Sequence, residues 1–305
     1  MISDEVVAKD EYSRYTKSAG GKRSFELIKR ECVRFCADMF MGAKCSSFKP
    51  IEIEASFGYK GHPPIKIQTK HGQMQVTGKV DRLDYYDGKM RIIDYKTGMV
   101  DAGEVEEMLY TGKKLQLFLY AKAFEDKYQP VGVYYFPIAD DFCEAGESGT
   151  MALKGRTLAD ESVVRELDHT ITAENTKGSY IDVNVKKYST GRFASSKKLL
   201  TQIELSEYLN YAKAVAGKGL EEMAEGVIVA SPYEKSCDYC KYHGICGYNE
   251  ATDMRTRKAR EVNKDTILSA LYVQTKLDLG ENLNGENLNS ETAIVKQKNQ
   301  NGGEK

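Results

Sequence analysis

Tryptophan is absent from the 305 residues, histidine occurs four times and proline six. Charge of one sign is missing too: 44 basic residues face 45 acidic ones, for a formal net charge of −1. No global basic field announces nucleic acid, so any contact with it must use local patches such as Lys197-Lys198 near Arg192, or Lys113-Lys114. No run of 18 apolar residues exists, which excludes an ordinary membrane-spanning helix. The opening MISDEVVAKDEYSRYTK is charged throughout and lacks the apolar stretch of a secretory leader, so a cytoplasmic location is expected. No G-x4-G-K-(S/T) is present, and ATP hydrolysis is not expected of this chain. Seven cysteines without a leader point to a reducing compartment, where clustered thiols mean metal or redox chemistry rather than disulfides.

What is there reads as an alternation of helix and strand. Residues 22–43 carry Phe25, Ile28, Cys32, Phe35 and Met39 at helical spacing. Strands are expected at 50–58, 63–69, 73–85 and 89–96, a helix at 113–128, and a buried aromatic-rich strand at 131–138. Short strands are expected at 179–185 and 192–194, then helices at 203–226 and 249–272. The tail repeats GENLN at 280–284 and 285–289 and ends in polar residues, a composition too poor in apolar surface to order itself. The organisation expected is a lead-in over 1–21, one domain over 22–273 that includes a cysteine-rich segment at 231–249, and a disordered tail over 274–305. The fold class is α/β (α+β), a sheet flanked by helices.

One stretch concentrates chemistry: GKVDRLDYYDGKMRIIDYKTG at 78–98. Asp87-Gly88 predicts a type I′ turn, because both central positions need positive φ. Facing residues then have numbers that sum to 175, which sets Asp81 across from Asp94, roughly 4.5–5.5 Å apart at Cβ. Both share a face with Leu83, Tyr85, Met90 and Ile92, which is read as the buried one. Asp84 and Arg91 on the other face are read as an ordinary cross-strand ion pair. Like charges opposite one another are destabilising, and a divalent cation between them removes the conflict. Lys96, two residues beyond Asp94 and on its face, is placed to steer a water or stabilise negative charge.

Two further groupings stand out. Gln116 and Tyr120 are spaced i, i+4 and share one face of the 113–128 helix. Cys237, Cys240 and Cys246 form C-x2-C-x5-C, a strong metal signal. A 4Fe–4S cluster needs a fourth ligand, which is not identified; Cys32, Cys36 and Cys45 are distant thiols that could supply it. His243 in phase would make a zinc site, but a cramped one.

GKVDRLD, IIDYKTG and QLFLY, in this order, resemble the G-x-(V/I)-D-R, D-Y-K and Q-x3-Y motifs of the RecB-like branch of the PD-(D/E)XK nuclease superfamily. With the cysteine run, IEASFG at 53–58 and SPY at 231–233, the resemblance narrows to AddB-type nuclease domains, and it covers roughly 22–262. It implies a restriction-endonuclease-like central mixed sheet, and a fragment equivalent to the C-terminal part of such a helicase–nuclease protein. Asp81, Asp94 and the carbonyl of Tyr95 would ligate Mg²⁺, Lys96 would orient the attacking water, and Gln116 and Tyr120 would position the strand. Cys237, Cys240 and Cys246 would hold the 4Fe–4S cluster. The partners implied are DNA, single-stranded or at double-strand ends, and an AddA-like subunit; the process is double-strand break repair and recombination. The family often uses an upstream histidine as a metal ligand, and no histidine precedes His62 here; Glu54 is a candidate substitute acid. The competing reading is a non-catalytic DNA-binding or assembly module. A zinc-binding interaction domain would leave the Asp-Tyr-Lys hairpin unexplained.

Overall fold

A computed structural model describes Glu5, Tyr12 and residues 17–59, 61–98, 105–138, 152–186, 196–234, 236–238, 240–249, 251–253, 255–257 and 262–278. The segment expected to form one domain is distributed over two compact units whose pieces alternate along the chain. The first takes Met1–Ala55, Val80–Ala102 and Lys127–Leu199; the second takes Ser56–Lys79, Gly103–Asp126 and Leu200–Lys305.

The first unit opens with helix α1 (Ala19–Lys44). The Ser18 side chain accepts the Gly21 N–H at 3.0 Å and starts it, satisfying one of the donors a helix leaves orphaned. A six-stranded sheet is built from β1 (Lys49–Phe57), β4 (Gly78–Tyr86), β5 (Lys89–Lys96), β6 (Gln129–Pro137), β7 (Lys154–Leu158) and β8 (Leu199–Leu200). Spatial order follows chain order, β1-β4-β5-β6-β7-β8, while β2 (Ile65–Thr69) and β3 (Gly72–Val76) form a sheet of their own. The β4–β5 hairpin has the expected turn: Asp87 lies at φ 45° and Gly88 at φ 75°. Its register runs Tyr86–Lys89 to Arg82–Ile93, each pair summing to 175 as expected. β5 and β6 pair in parallel, which requires a long crossover, and residues 97–128 supply it. The crossover carries α2 (Val105–Tyr110) and α3 (Gln116–Phe124), both part of the second unit. β6 is buried along nearly its whole length, so it reads as an apolar run without alternation.

Two helices of the first unit cover the sheet with apolar side chains. Phe35 of α1 meets Tyr95 edge-on at 5.4 Å and Phe136 at 5.3 Å. Helix α4 (Glu161–Leu167) adds Val163, Val164 and Leu167 to the same core. Residues 179–185, expected as a strand, make only isolated bridges, Leu153–Ile181 and Lys177–Asn184. Asp168 explains this: its buried carboxylate accepts the N–H groups of Tyr180 and Ile181 at 2.7 and 3.0 Å, taking donors a ladder would use.

In the second unit, the expected single strand 73–85 is broken. β3 pairs with β2 as a separate hairpin, and β4 begins after Thr77. Helix α5 (Gln202–Ala224) starts with a reciprocal capping box between Thr201 and Glu204. A single turn, α6 (His243–Cys246), and a longer helix, α7 (Lys264–Asp278), complete the unit. α5 buries Leu205, Tyr208, Leu209, Tyr211 and Ala212, and packs on α3, β2 and α7. The helix expected at 249–272 is therefore later and shorter, because 251–252 and 255 lie in turns and Arg257 bridges to Tyr233. α7 also runs past residue 273, into the first positions expected to be disordered; 279–305 lie outside the described residues, as do 192–194 and Cys143. Among the described residues no helix is long and apolar enough to cross a membrane.

Candidate active site

The two faces of the β4–β5 hairpin carry different chemistry, and both are covered. Toward the front, the backbone ladder ends at Arg82–Ile93 and a side chain takes over. Asp81 accepts the Tyr95 N–H at 2.9 Å, so its carboxylate replaces a strand carbonyl at the point where the strands part. Asp94 is 2% exposed, and its Oδ2 lies 2.5 Å from Lys96 Nζ. Among the described residues, that ammonium is the one neighbour of a buried carboxylate oxygen to which no other donor is directed. Burial raises the Asp94 pKa; the Lys96 ammonium opposes this, and the nearby Asp81 charge adds to it. The ammonium also lies 5.3 Å from the Tyr135 ring. Asp81, Asp94 and Lys96 are thus gathered in the first unit at the end of one hairpin, with Tyr95 between the last two.

The rear face corrects the expectation of an ordinary ion pair there. Asp84 and Arg91 are 0% exposed and Arg82 is 2% exposed. Arg82 donates from Nε and Nη2 to the two Asp84 oxygens at 2.6 and 2.8 Å, and Arg91 Nε donates to Oδ2 at 2.9 Å. Arg91 Nη1 reaches Ser46 Oγ at 3.1 Å, and its guanidinium lies over Phe48 and Tyr180. The Tyr95 hydroxyl joins Arg82. Alternation sets this face opposite the apolar one, yet it packs into the core around Phe48, Tyr180 and Leu167. Fork-shaped guanidinium pairing to a single carboxylate fits such burial. No sequence signal beyond the Asp-Arg dipeptide marked Arg82 as part of this network.

Gln116, Tyr120 and the three clustered cysteines lie in the second unit. Gln116 Nε2 donates to Tyr120 Oη at 2.6 Å along α3, as the i, i+4 spacing requires. Tyr120 meets the Phe57 ring edge-on at 6.0 Å. Gly78, the glycine that opens the GKVDR stretch, sits under these rings: a Cβ there would come within 2.8 Å of Phe57, so only glycine fits without displacement. Cys237, Cys240 and Cys246 occupy a segment of turns ending in α6. Among the described residues no three His, Cys, Asp or Glu side chains converge as a metal site. Glu54 is exposed, with its backbone at φ 55°. His71 is exposed, and His62 stands against the Phe124 ring at 4.5 Å. Of the basic patches, Lys198 pairs with Asp182 at 2.6 Å and Lys113 donates to the Glu234 carbonyl.

A mixed sheet flanked by helices, with two aspartates and a lysine at the end of a central hairpin, defines a nuclease architecture, and the comparisons with known proteins agree. Residues 3–247 match the model of the PD-(D/E)XK nuclease superfamily, and the chain belongs to it. Its relatives include an ATP-dependent helicase/deoxyribonuclease subunit of Clostridium acetobutylicum, 30% identical over 258 residues (74% of this chain, 21% of that protein). The subunit of the same name in Bacillus subtilis is 28% identical over 273 residues (80% and 23%), and that in Alkaliphilus metalliredigens 27% over 308 (91% and 26%). The chain spans about a fifth to a quarter of the length of these relatives.

Proposed function

We propose that the chain is a Mg²⁺-dependent deoxyribonuclease, an exonuclease that hydrolyses phosphodiester bonds in DNA. The observation that carries the reading is the buried Asp94 carboxylate, gathered with the Asp81 carboxylate and the Lys96 ammonium at the end of one hairpin. This donor set fits a hard divalent cation, which carboxylate and carbonyl oxygens prefer. Asp81, Asp94 and the Tyr95 carbonyl would hold the ion, whose contribution when bound is Lewis-acid polarisation of the phosphate and a more acidic water. Lys96 orients the nucleophilic water and places positive charge where the phosphoryl oxygens gain negative charge. Asp81 holds the end of β5 in register through the Tyr95 N–H, so both carboxylates keep their spacing. Gln116 and Tyr120, bonded to one another, hold the nucleic-acid strand.

The spacing of Cys237, Cys240 and Cys246 supports a 4Fe–4S cluster that would draw the thiols together on loading, and no chemical step is assigned to it. By kinship the partner is a helicase subunit resembling AddA, and the setting is the repair and recombination of double-strand ends in the cytoplasm. The decisive experiment is cleavage of end-labelled single-stranded DNA by wild type and Asp94→Ala, with and without Mg²⁺. Metal-dependent cleavage by wild type, lowered at least about 10²- to 10³-fold in the variant while DNA binding persists, is the expected result. Binding by both proteins with cleavage by neither would make the chain a non-catalytic DNA-binding module. Iron and acid-labile sulfide assays after anaerobic reconstitution test the cluster.

A further inference from the structure

The second unit contains a cavity of about 350 Å³ that the nuclease reading leaves unused. It is bounded by the end of α2, the middle of α5, α7 and the segments around Tyr233 and Arg257. Three of its lining residues are tyrosines. Tyr110 and Tyr211 lie parallel, 4° apart in plane and 6.3 Å between centroids, and the Tyr211 hydroxyl donates to the Tyr110 carbonyl at 3.4 Å. Burial keeps the Tyr211 hydroxyl protonated. Across the cavity, Tyr233 and Arg257 are locked together. Their backbones form a parallel bridge, Arg257 donates its N–H to Pro232 O and its Nε to Ser231 O (both 2.8 Å), and its guanidinium sits 4.2 Å over the Tyr233 ring. Lys218 on the rim is exposed, and Glu222 is the one carboxylate of the lining.

These features select a ligand by chemistry. One carboxylate is too few for a divalent cation, and the guanidinium and ammonium do not suit a purely apolar guest. Flat π-faces beside a fixed guanidinium and a rim ammonium do suit an aromatic, anionic one. The volume lies in the range of small-ligand sites, about 300–1,000 Å³. Aromatic rings that stack bases, combined with cations that hold the backbone, are how single strands are bound without regard to sequence. We propose that this cavity binds a nucleobase of single-stranded DNA, stacked on the tyrosines, with Lys218 and Arg257 holding its phosphate. The proposal rests on the reading of the chain as a DNA-processing protein. It gives the SPY stretch at 231–233 a role: Ser231 and Pro232 hold Arg257 over Tyr233.

The test uses the full chain without Mg²⁺, so that bound DNA stays intact. A 5-iododeoxyuridine oligonucleotide is photocrosslinked and the attachment site mapped by mass spectrometry; Tyr233 or Tyr211 is expected. In parallel, fluorescence anisotropy compares oligo(dT) with an abasic phosphodiester chain of equal length. Tyr233→Leu should weaken oligo(dT) binding roughly tenfold and leave the abasic chain unaffected, while Tyr233→Phe should retain wild-type affinity. Crosslinks confined to other regions, or equal effects on both chains, would overturn the cavity proposal. Cleavage assayed beside these measurements is independent of them: its persistence would leave the nuclease reading standing, whereas absence of all DNA binding would remove both. Mapping the crosslink on wild type needs no variant, so a poorly folded Tyr233→Leu does not stall the test.

Discussion

The front and rear of the β4–β5 hairpin are built from the same two strands, one residue out of phase, and treat buried charge in opposite ways. At the rear, the Asp84 carboxylate accepts three guanidinium hydrogen bonds from Arg82 and Arg91. At the front, Asp94 is nearly as buried, but one of its oxygens has only an ionic contact, and its pKa is raised. A carboxylate held by three guanidinium hydrogen bonds makes a rigid backing, although Arg91 Nη2, like Asp94 Oδ2, has only an ionic contact; a buried carboxylate with a raised pKa costs stability that a bound cation can return. The difference separates what holds the strands from what is offered to a ligand.

The largest effect should come from the rear. Asp84→Ala leaves two buried guanidinium groups without their shared carboxylate, and should destabilise the fold by about 3–5 kcal/mol in urea unfolding. A loss of only a few tenths would mean that the network is solvated and the comparison is false.

The front should respond with the opposite sign. Asp94 titrates above its ordinary value of 3.8 in the folded protein. Such a carboxyl costs nothing where both states are protonated; the cost grows as pH rises through the folded-state value and is fully present at neutral pH. Asp94→Asn should therefore raise Tm at pH 7 in EDTA, with the gain disappearing at acid pH, even as cleavage is lost. A lower Tm at pH 7 would show that the Lys96 ion pair outweighs the burial.

Added metal should act on the same front face. Mg²⁺ at about 100 times its Kd should stabilise wild type by about 2.7 kcal/mol, read as a Tm increase, and leave Asp94→Ala unmoved. An equal shift in both proteins would place the ion elsewhere. The smallest change in stability is expected for Gln116→Ala. That substitution removes one partly solvated hydrogen bond to Tyr120, worth about 0.5–1.5 kcal/mol, while its effect on DNA affinity reports whether the pair touches the strand.

Much of the hairpin could be read in advance because its determinants are local. The Asp87-Gly88 pair dictates a positive-φ turn, the turn sets the register, and the register brings Asp81 to the Asp94 end of the ladder. The same is true of Gln116 with Tyr120, which the helical repeat joins. Reading failed where a distant segment decides the environment. Alternation divides β4 and β5 into an apolar face and a charged face, and reads the charged one as an ordinary cross-strand ion pair. Phe48, Tyr180 and the end of α4, which come from separated parts of the chain, cover it instead. The 179–185 stretch has strand composition, but Asp168 takes its amide donors.

The sequence by itself determined the turn, the register, the order of the chemical motifs and the glycine-opened stretch that carries Asp81. Each of these depends on backbone preferences and spacings a few residues long. Tertiary structure alone decided that Asp84, Arg82 and Arg91 are a buried clamp rather than a surface pair, and that Tyr110, Tyr211, Tyr233 and Arg257 line one cavity. Burial and long-range neighbours are properties of the packed chain, and no local pattern encodes which segment will cover a face.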